Sequence, residues 1–420
     1  MRVAVVGTGI AGLGAAWLLQ QAHEVTVFEA QARPGGHTHT VDDGDQPVDT
    51  GFIVYNEPAY PRLKALFRAL GVATQASDMS FGVSVDRGRL EWAGDNWRTL
   101  FAQPSNLLRP SHTHMIVDIL RFNRQTKKLL ADDALPDQSL GEFLDAQVYG
   151  QPFRTRYLLP MAAAIWSAPT ASMLSFPLAS FVRFFDNHGL LNVSDRPQWR
   201  TVTGGSREYV NRIIASLTRP PRLETPVARV ERRAEGVAVI DRAGNADLFD
   251  QVVLAAHADD SLTMLADATP TERELLGAFG FQDNHAVLHS DISLMPRRRA
   301  VWSSWNYLTE DDGITGQRVA VTYWMNRLQR IAGDRTYLVS LNPLHEPDPA
   351  TVIRRMDYRH PVFDRAAVAA QARLDEIQGR DRVWFCGAWC GYGFHEDGLA
   401  AGEAVARGLG VTPPWEADVA

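Results

Sequence analysis

Apolar positions along the chain change period several times, and each change marks an element. Arg2–Val6 is a short apolar, β-branched run, the pattern of a strand buried on both faces. Residues 11–20 carry apolar positions at helical spacing, and residues 23–29 return to a short strand-like run. Strand, helix and strand within thirty residues predict a βαβ unit and a parallel sheet. Residues 60–70 have helical spacing and stop at Gly71, a natural C-cap. Residues 81–85 and 90–92 alternate around Asp86-Arg87-Gly88, the pattern of a β-hairpin. Residues 97–135 read as mostly helical. Residues 152–193 are the most apolar part of the chain, with helices expected at 161–166 and 173–185. Beyond them a glycine turn feeds a helix within 199–218, and strands are expected at 223–230, 236–240 and 251–256. The stretch 281–343 alternates like sheet strands and gathers Trp302, Trp305, Tyr307, Tyr323 and Trp324. Residues 366–377 read as a helix. A strand at 383–386, a turn at Gly387 and a helix at 398–409 close the chain.

Length and composition narrow the class. A chain of 420 residues supports two or three domains with sizeable cores. A net charge of −7 argues against a nucleic-acid partner. Two cysteines, Cys386 and Cys390, do not make a disulfide scaffold, and their C-x-x-x-C spacing is not a thioredoxin motif. Both read as small buried thiols. No run of eighteen apolar residues occurs, and the first strand begins at residue 2, so the expectation is a cytoplasmic protein. The region 97–135 mixes apolar positions with Arg98, Arg109, Arg121, Arg124, Lys127 and Lys128. It reads either as an ordinary solvated face or as a surface for peripheral membrane contact. The apolar stretch 152–193 likewise serves as core, as the wall of a long substrate cavity, or as both.

Chemistry enters at the first turn. Gly7, Gly9 and Gly12 stand as G-x-G-x-x-G between strand and helix, with Glu29 closing the second strand. The first glycine permits the tight turn, the second admits a pyrophosphate, and the third lets helix and strand pack closely. The helix N-terminus offers unpaired N–H groups and the positive end of its dipole. Glu29 suits a ribose hydroxyl and repels a 2′-phosphate. Arg33, Gly35 and Gly36 follow directly, where a guanidinium reaches a phosphate and backbone passes close to a ligand. No second G-x-G-x-x-G unit provides a nicotinamide domain. No zinc-ligand spacing and no Ser–His–Asp motif occurs.

The segments GTGIAGLGAAWLL, FEA, ARPGGHTHT and VDTGFIVYN together resemble the N-terminus of the flavin amine oxidase superfamily, which includes monoamine oxidases, protoporphyrinogen oxidases and phytoene desaturases. The resemblance implies FAD as cofactor and an α/β fold. It implies a Rossmann-type FAD-binding domain assembled from discontinuous segments (1–76, 197–265 and 381–420). A mixed α+β substrate domain (77–196 and 266–380) is inserted. The implied cofactor-binding residues are Gly7, Gly9, Ile10, Ala11, Gly12, Glu29, Arg33, Gly35, Gly36, His37, Thr38, Gly51 and Phe52. Further along the chain they are Val227, Gly387, Asp397, Gly398 and Leu399, with Asp397 alternatively a helix cap. The C-terminal stretch WFCGAWCGYGFHEDG is similar to the flavin motif that returns the chain to the Rossmann sheet.

Three departures matter. Family members usually have arginine where this chain has His37. They commonly hold a lysine near flavin N5, and here no lysine follows Lys128. They commonly place a tyrosine where Phe394 stands. The full pattern is similar to a bacterial group resembling the flavin domain fused ahead of plant cyclopropane fatty acid synthases, which points to lipid acyl chains. The expectation is an FAD-dependent oxidoreductase that oxidises or desaturates a hydrophobic substrate by hydride transfer to flavin N5. His395 and Glu396 are the acid–base candidates, and Tyr323 and Phe394 the aromatic ones, at the reacting centre. The electron acceptor is open, oxygen included. Three alternatives stand beside it: an amine or other small-molecule oxidase, a fatty-acid double-bond isomerase without net redox, and a non-catalytic flavoprotein partner of a lipid-modifying enzyme.

Overall fold

A computed structural model describes residues 1–166, 170–192, 196–311 and 317–417. The intervening segments and residues 418–420, which the expected domain bounds include, lie outside the described residues.

The βαβ unit forms as its pattern demands. Arg2–Val6 and Glu24–Phe28 pair in parallel and flank the helix Ile10–Leu19. Each strand hides four of its five residues, so apolar runs rather than alternation encode it. Two distant strands complete the sheet, in the order Val383–Phe385, Gln251–Leu254, Arg2–Val6, Glu24–Phe28, all parallel. The final helix, His395–Gly408, lies along Ile10–Leu19 at very short range. A Cβ on Gly402 would come within 2.5 Å of the Ala11 carbonyl oxygen, so only glycine permits this approach. This helix starts three residues earlier than its sequence pattern suggests, which places His395, Glu396 and Asp397 in its first turn.

A second sheet has seven strands, in the order Val352–Val362, Gly280–His289, Leu338–Leu341, Gln317–Trp324, Trp305–Asp311, Phe81–Val85, Leu90–Ala93. Only Trp305–Asp311 and Phe81–Val85 run parallel. The hairpin at 81–93 turns through Asp86, Arg87 and Gly88, all at positive φ. Val352–Val362 escapes the sequence pattern. It is an edge strand in which the adjacent Arg354 and Arg355 are both exposed, so its alternation is broken. Residues 302–304, expected in a strand, instead follow a 3-10 turn at Arg299–Val301. The apolar stretch 152–193 forms the helices Leu159–Trp166, Thr170–Leu174 and Leu178–Asn187. Their aromatic residues build one core with Tyr307 and Val321 of the sheet. No helix among the described residues is long and apolar enough to cross a membrane.

Candidate active site

A cavity of about 770 Å³ opens where the parallel strands end and runs on between the seven-stranded sheet and the helical layer. At one end lie the motif glycines. Gly7 is at φ +111°, and a Cβ there would press on the Ala255 carbonyl oxygen at 2.6 Å. On Gly12 a Cβ would fall on the Gly7 carbonyl oxygen, so Gly12 serves helix packing and does not line the cavity. Around Gly9 a Cβ would meet nothing within 4 Å, because Gly9 faces the cavity. Among the described residues no side chain caps the helix that begins beside it, so its first N–H groups are open to an anion. Glu29 lines the same end. Its carboxylate accepts from the Thr8 N–H at 3.1 Å, from the Thr8 hydroxyl and from the Gln31 N–H at 2.9 Å.

Arg33 does something other than the expected phosphate contact. Its guanidinium folds back to donate to the carbonyls of Gly36 (2.8 Å) and Thr38 (3.3 Å), and it does not line the cavity. It staples the Gly35-Gly36 loop, leaving Gly35 and Gly36 themselves on the wall. His37 also lines the cavity, within 5.2 to 6.0 Å of the rings of His360, Tyr358 and His257. Burial lowers its pKa to about 4, so the ring is neutral, and its Nε2 has no hydrogen-bond partner among the described residues. Ile10, Ala11, Gly51, Phe52, Val227 and Gly387 line the cavity too.

His395 reaches the wall and is held on two sides. It stacks on Phe52 at 3.8 Å, and its Nε2 lies 3.0 Å from the Thr38 hydroxyl and 3.1 Å from the Tyr209 hydroxyl. Burial lowers its pKa to about 3. Thr38 therefore stands behind the wall, not on it. Glu396 is turned away. Its carboxylate accepts from the Arg62 and Leu63 N–H groups, both at 3.0 Å, capping the helix Pro61–Leu70. Asp397 accepts from the Phe394 N–H at 2.9 Å, and burial raises its pKa to about 6. Gly398 and Leu399 pack on the first helix, against Ile10 and Gly14. The expected contacts of Asp397, Gly398 and Leu399 are thus indirect, through the position of the helix start.

The far wall is aromatic. Phe394 stacks on Phe184 at 4.7 Å, and Trp305 meets Tyr323 edge-on at 5.0 Å. Trp166, Met79 and Phe363 extend this wall. Trp302 and Trp324 meet edge-on elsewhere, with the Arg299 guanidinium over both rings. Cys386 and Cys390 stay thiols, because burial pushes Cys386 up to about 12 and raises Cys390 as well. His257, Asp259 and Asp260 cluster closely, but Arg359 pairs with both carboxylates. Sequence reading missed His257, His360, Tyr358 and His188 on the wall. The one available signal was that His257 directly follows the buried run QVVLAA.

Open space at Gly9, an uncapped helix start and the orphaned His37 Nε2 fit a dinucleotide with a polar edge. The model of the flavin containing amine oxidoreductase family matches residues 10–290, two thirds of the chain, and the chain belongs to that family. Its cofactor is FAD. Among its relatives is AofH of Mycobacterium tuberculosis, named as a flavin-containing monoamine oxidase. The two are 29% identical over 260 residues, 58% of this chain and 54% of that one. The chain spans about half the length of the curated relatives it matches. Two solved structures share the fold over 97% of this chain. A CLA-producing fatty acid isomerase from P. acnes has 15% identity, a TM-score of 0.69 and 98% of its chain covered. Putrescine oxidase bound to putrescine has 16% identity, a TM-score of 0.69 and 99% covered.

Proposed function

We propose that the protein is an FAD-dependent oxidoreductase that oxidises or desaturates an apolar substrate, a fatty-acyl chain of a lipid. One observation carries this reading. Beyond the glycine end the cavity wall is mostly aromatic and aliphatic. Of the two acidic residues among its described lining, Glu29 sits at the glycine end, where the ribose is expected, and Asp260 pairs with Arg359. An ammonium finds no free carboxylate there, whereas a hydrocarbon finds a matching surface. Bound FAD supplies the hydride acceptor. Gly9 and the helix start hold its pyrophosphate, Glu29 a ribose hydroxyl, and neutral His37 donates or accepts one hydrogen bond. The closely packed rings Phe394, Phe184, Trp305 and Tyr323 exclude water and orient the chain. Of the two acid–base candidates only His395 reaches the cavity, so the proton-handling role falls to it alone.

Two finer assignments belong to this reading. The hairpin 81–93 joins strand Trp305–Asp311, which supports a substrate domain built from 77–196 and 266–380 around a discontinuous FAD domain. The helical arm that follows the hairpin exposes Trp97, Leu107, Leu108, Val117 and Leu120 among basic residues, which supports peripheral contact with an anionic membrane surface.

The test is anaerobic. The purified protein is loaded with FAD and mixed with a lipid extract or with amines, and flavin absorbance is followed. Bleaching by lipid and not by amines is the expected result. Bleaching by amines alone moves the reading to an amine oxidase. Lipid turnover with no electron acceptor moves it to an isomerase, and no response to any lipid moves it to a non-catalytic flavin-binding partner.

A further inference from the structure

The seven-stranded sheet forks. Leu338–Leu341 is only four residues long and pairs with Ala286–His289 on one side and Val321–Trp324 on the other. Outward of Leu341 no strand lies between the two neighbours among the described residues. Gly280–His285 is left pairing only with 357–362, and Gln317–Ala320 only with 308–311. Asn342 turns the chain out of the sheet at φ 47° and bonds both backbone groups of His285, at 2.8 and 2.9 Å, which fixes the base of the fork.

A second cavity, of about 730 Å³, occupies this fork. Its inner part is apolar: Tyr307, Val321, Leu341, Ala286 and Met356 stand in one register row across the sheet, under Ala163 of the helix Leu159–Trp166. Its outer part is polar, with Arg318, Glu346 and Asp357. The inner part adjoins the cofactor cavity in three ways. Leu341 lines both cavities. Trp305 and Tyr323, on the cofactor side, are the next same-face positions along the strands that carry Tyr307 and Val321. Ala163 roofs one cavity, and Ile165 and Trp166 of the same helix line the other. Tyr307 adds a sign of a ligand. Its side chain is fully buried in this wall, yet its hydroxyl has no hydrogen-bond partner among the described residues. A buried hydroxyl without a partner is costly, and a ligand oxygen removes that cost.

We propose that the fork is the route by which substrate reaches the cofactor cavity, and that it holds the oxygen-bearing end of an acyl chain. The carboxyl or ester carbonyl oxygen accepts from the Tyr307 hydroxyl, and the hydrocarbon tail extends past Leu341 toward Tyr323 and Trp305. This rests on the acyl-substrate reading above and specifies which end of the substrate sits where.

The probe is oleate, together with an oleate analogue carrying a photoreactive diazirine near its carboxyl end, applied to the FAD-loaded protein. The expected cross-links fall on peptides containing 318–323 or 338–343. Tyr307→Phe is expected to weaken oleate binding roughly fivefold, the value of one buried hydrogen bond, and to leave binding of a long-chain alkene unchanged. Leu341→Trp is expected to abolish both the cross-link and flavin bleaching by oleate. Ala163→Leu narrows the same passage from the helix side and serves if Leu341→Trp does not fold. Cross-links confined to the 165–190 side of the cofactor cavity, or equal oleate binding in wild type, Tyr307→Phe and the blocked variant, overturn the proposal. Cross-linking in the fork without flavin bleaching leaves the route standing and removes the oxidation reading instead.

Discussion

Gly9 and Gly12 sit three residues apart in one motif, and the space around them separates cofactor binding from folding. A side chain on Gly9 points into the open cavity, while one on Gly12 strikes the Gly7 carbonyl. Gly9→Ala is therefore expected to leave the unfolding midpoint of the FAD-free protein unchanged and to lower FAD retention. Gly12→Ala is expected to cost about 1–3 kcal/mol of stability whether or not FAD is present. Denaturant melts of the FAD-free protein, read beside the flavin-to-protein absorbance ratio, check both. The histidines make a second residue-scale prediction. Burial lowers seven of them, His37, His39, His188, His257, His289, His360 and His395, to about 4 or about 3. Between pH 6.5 and about 4 the unfolded chain binds protons at these sites and the folded chain does not, so stability falls as pH falls through that window. Asp49 and Asp397, raised to about 6, act in the opposite direction over pH 6 to 4, as do Asp95, Asp260 and Glu396, which burial also raises, but the histidines outnumber them. Urea midpoints of the FAD-free protein are expected to drop steadily from about pH 7 to about pH 5, and a flat profile would contradict this account. The glycines were legible in sequence because their spacing is local. The place of His37 on the wall was legible too, though not its neighbours, which arrive from residues 257 and 360. The target of Arg33 was not legible, since it is set by how its loop closes.

At the scale of elements, the C-terminal helix shows how three adjacent polar residues are divided by geometry. His395, Glu396 and Asp397 occupy one helical turn, and helical rotation sends them in three directions. His395 goes to the cavity, Glu396 to the start of Pro61–Leu70, and Asp397 back onto its own N-terminus. Tyr60, the residue preceding Pro61–Leu70, offers that helix no side-chain cap, so Glu396 supplies it from another element. Glu396→Ala is expected to cost about 1 kcal/mol of stability, as loss of a cap does, and to leave turnover per bound flavin unchanged. A loss of turnover at unchanged stability and flavin content would return Glu396 to acid–base duty. Sequence pattern found all four strands of the parallel sheet because burial on both faces leaves a continuous apolar run. It missed Val352–Val362, where an edge position leaves the consecutive Arg354 and Arg355 exposed on opposite faces. It also had no means of foreseeing the fork, because a gap in a sheet is a property of strand lengths in three partners and not of any one segment.

At the scale of the whole molecule, apolar exposure is concentrated. Nine large hydrophobic side chains are exposed among the described residues, and six of them, Trp97, Leu107, Leu108, Val117, Leu120 and Val148, lie between 97 and 148. Leu108 is 86% and Trp97 73% exposed, values that a solvated helix face has no reason to sustain at several neighbouring sites. Val117 and Leu120 fall on the same face of Pro110–Ala131 as Arg124 and Lys127, at spacings of three, four and three residues. Residues 97–131 carry six basic side chains and one acidic one in a chain whose net charge is −7. These side chains are the ones the proposed membrane contact would use: at an anionic bilayer surface the leucines would insert at the headgroup boundary while the arginines and lysines would meet phosphates. The protein is therefore expected to sediment with vesicles containing phosphatidylglycerol, and far less with pure phosphatidylcholine, with binding that weakens as salt rises. Replacing both Leu107 and Leu108 by serine is expected to reduce vesicle binding roughly tenfold or more, since each leucine gains about 1.5–3 kcal/mol on full burial. The same double variant is expected to keep its flavin content and its melting temperature, because neither side chain packs in the core. Arg124→Gln with Lys127→Gln should weaken binding mainly at low salt, which separates the electrostatic from the apolar contribution. Wild-type protein that stays in the supernatant with anionic vesicles at low salt would show that this face is simply solvated, and lipid would then have to reach the cavity from a carrier or a micelle, not from a membrane.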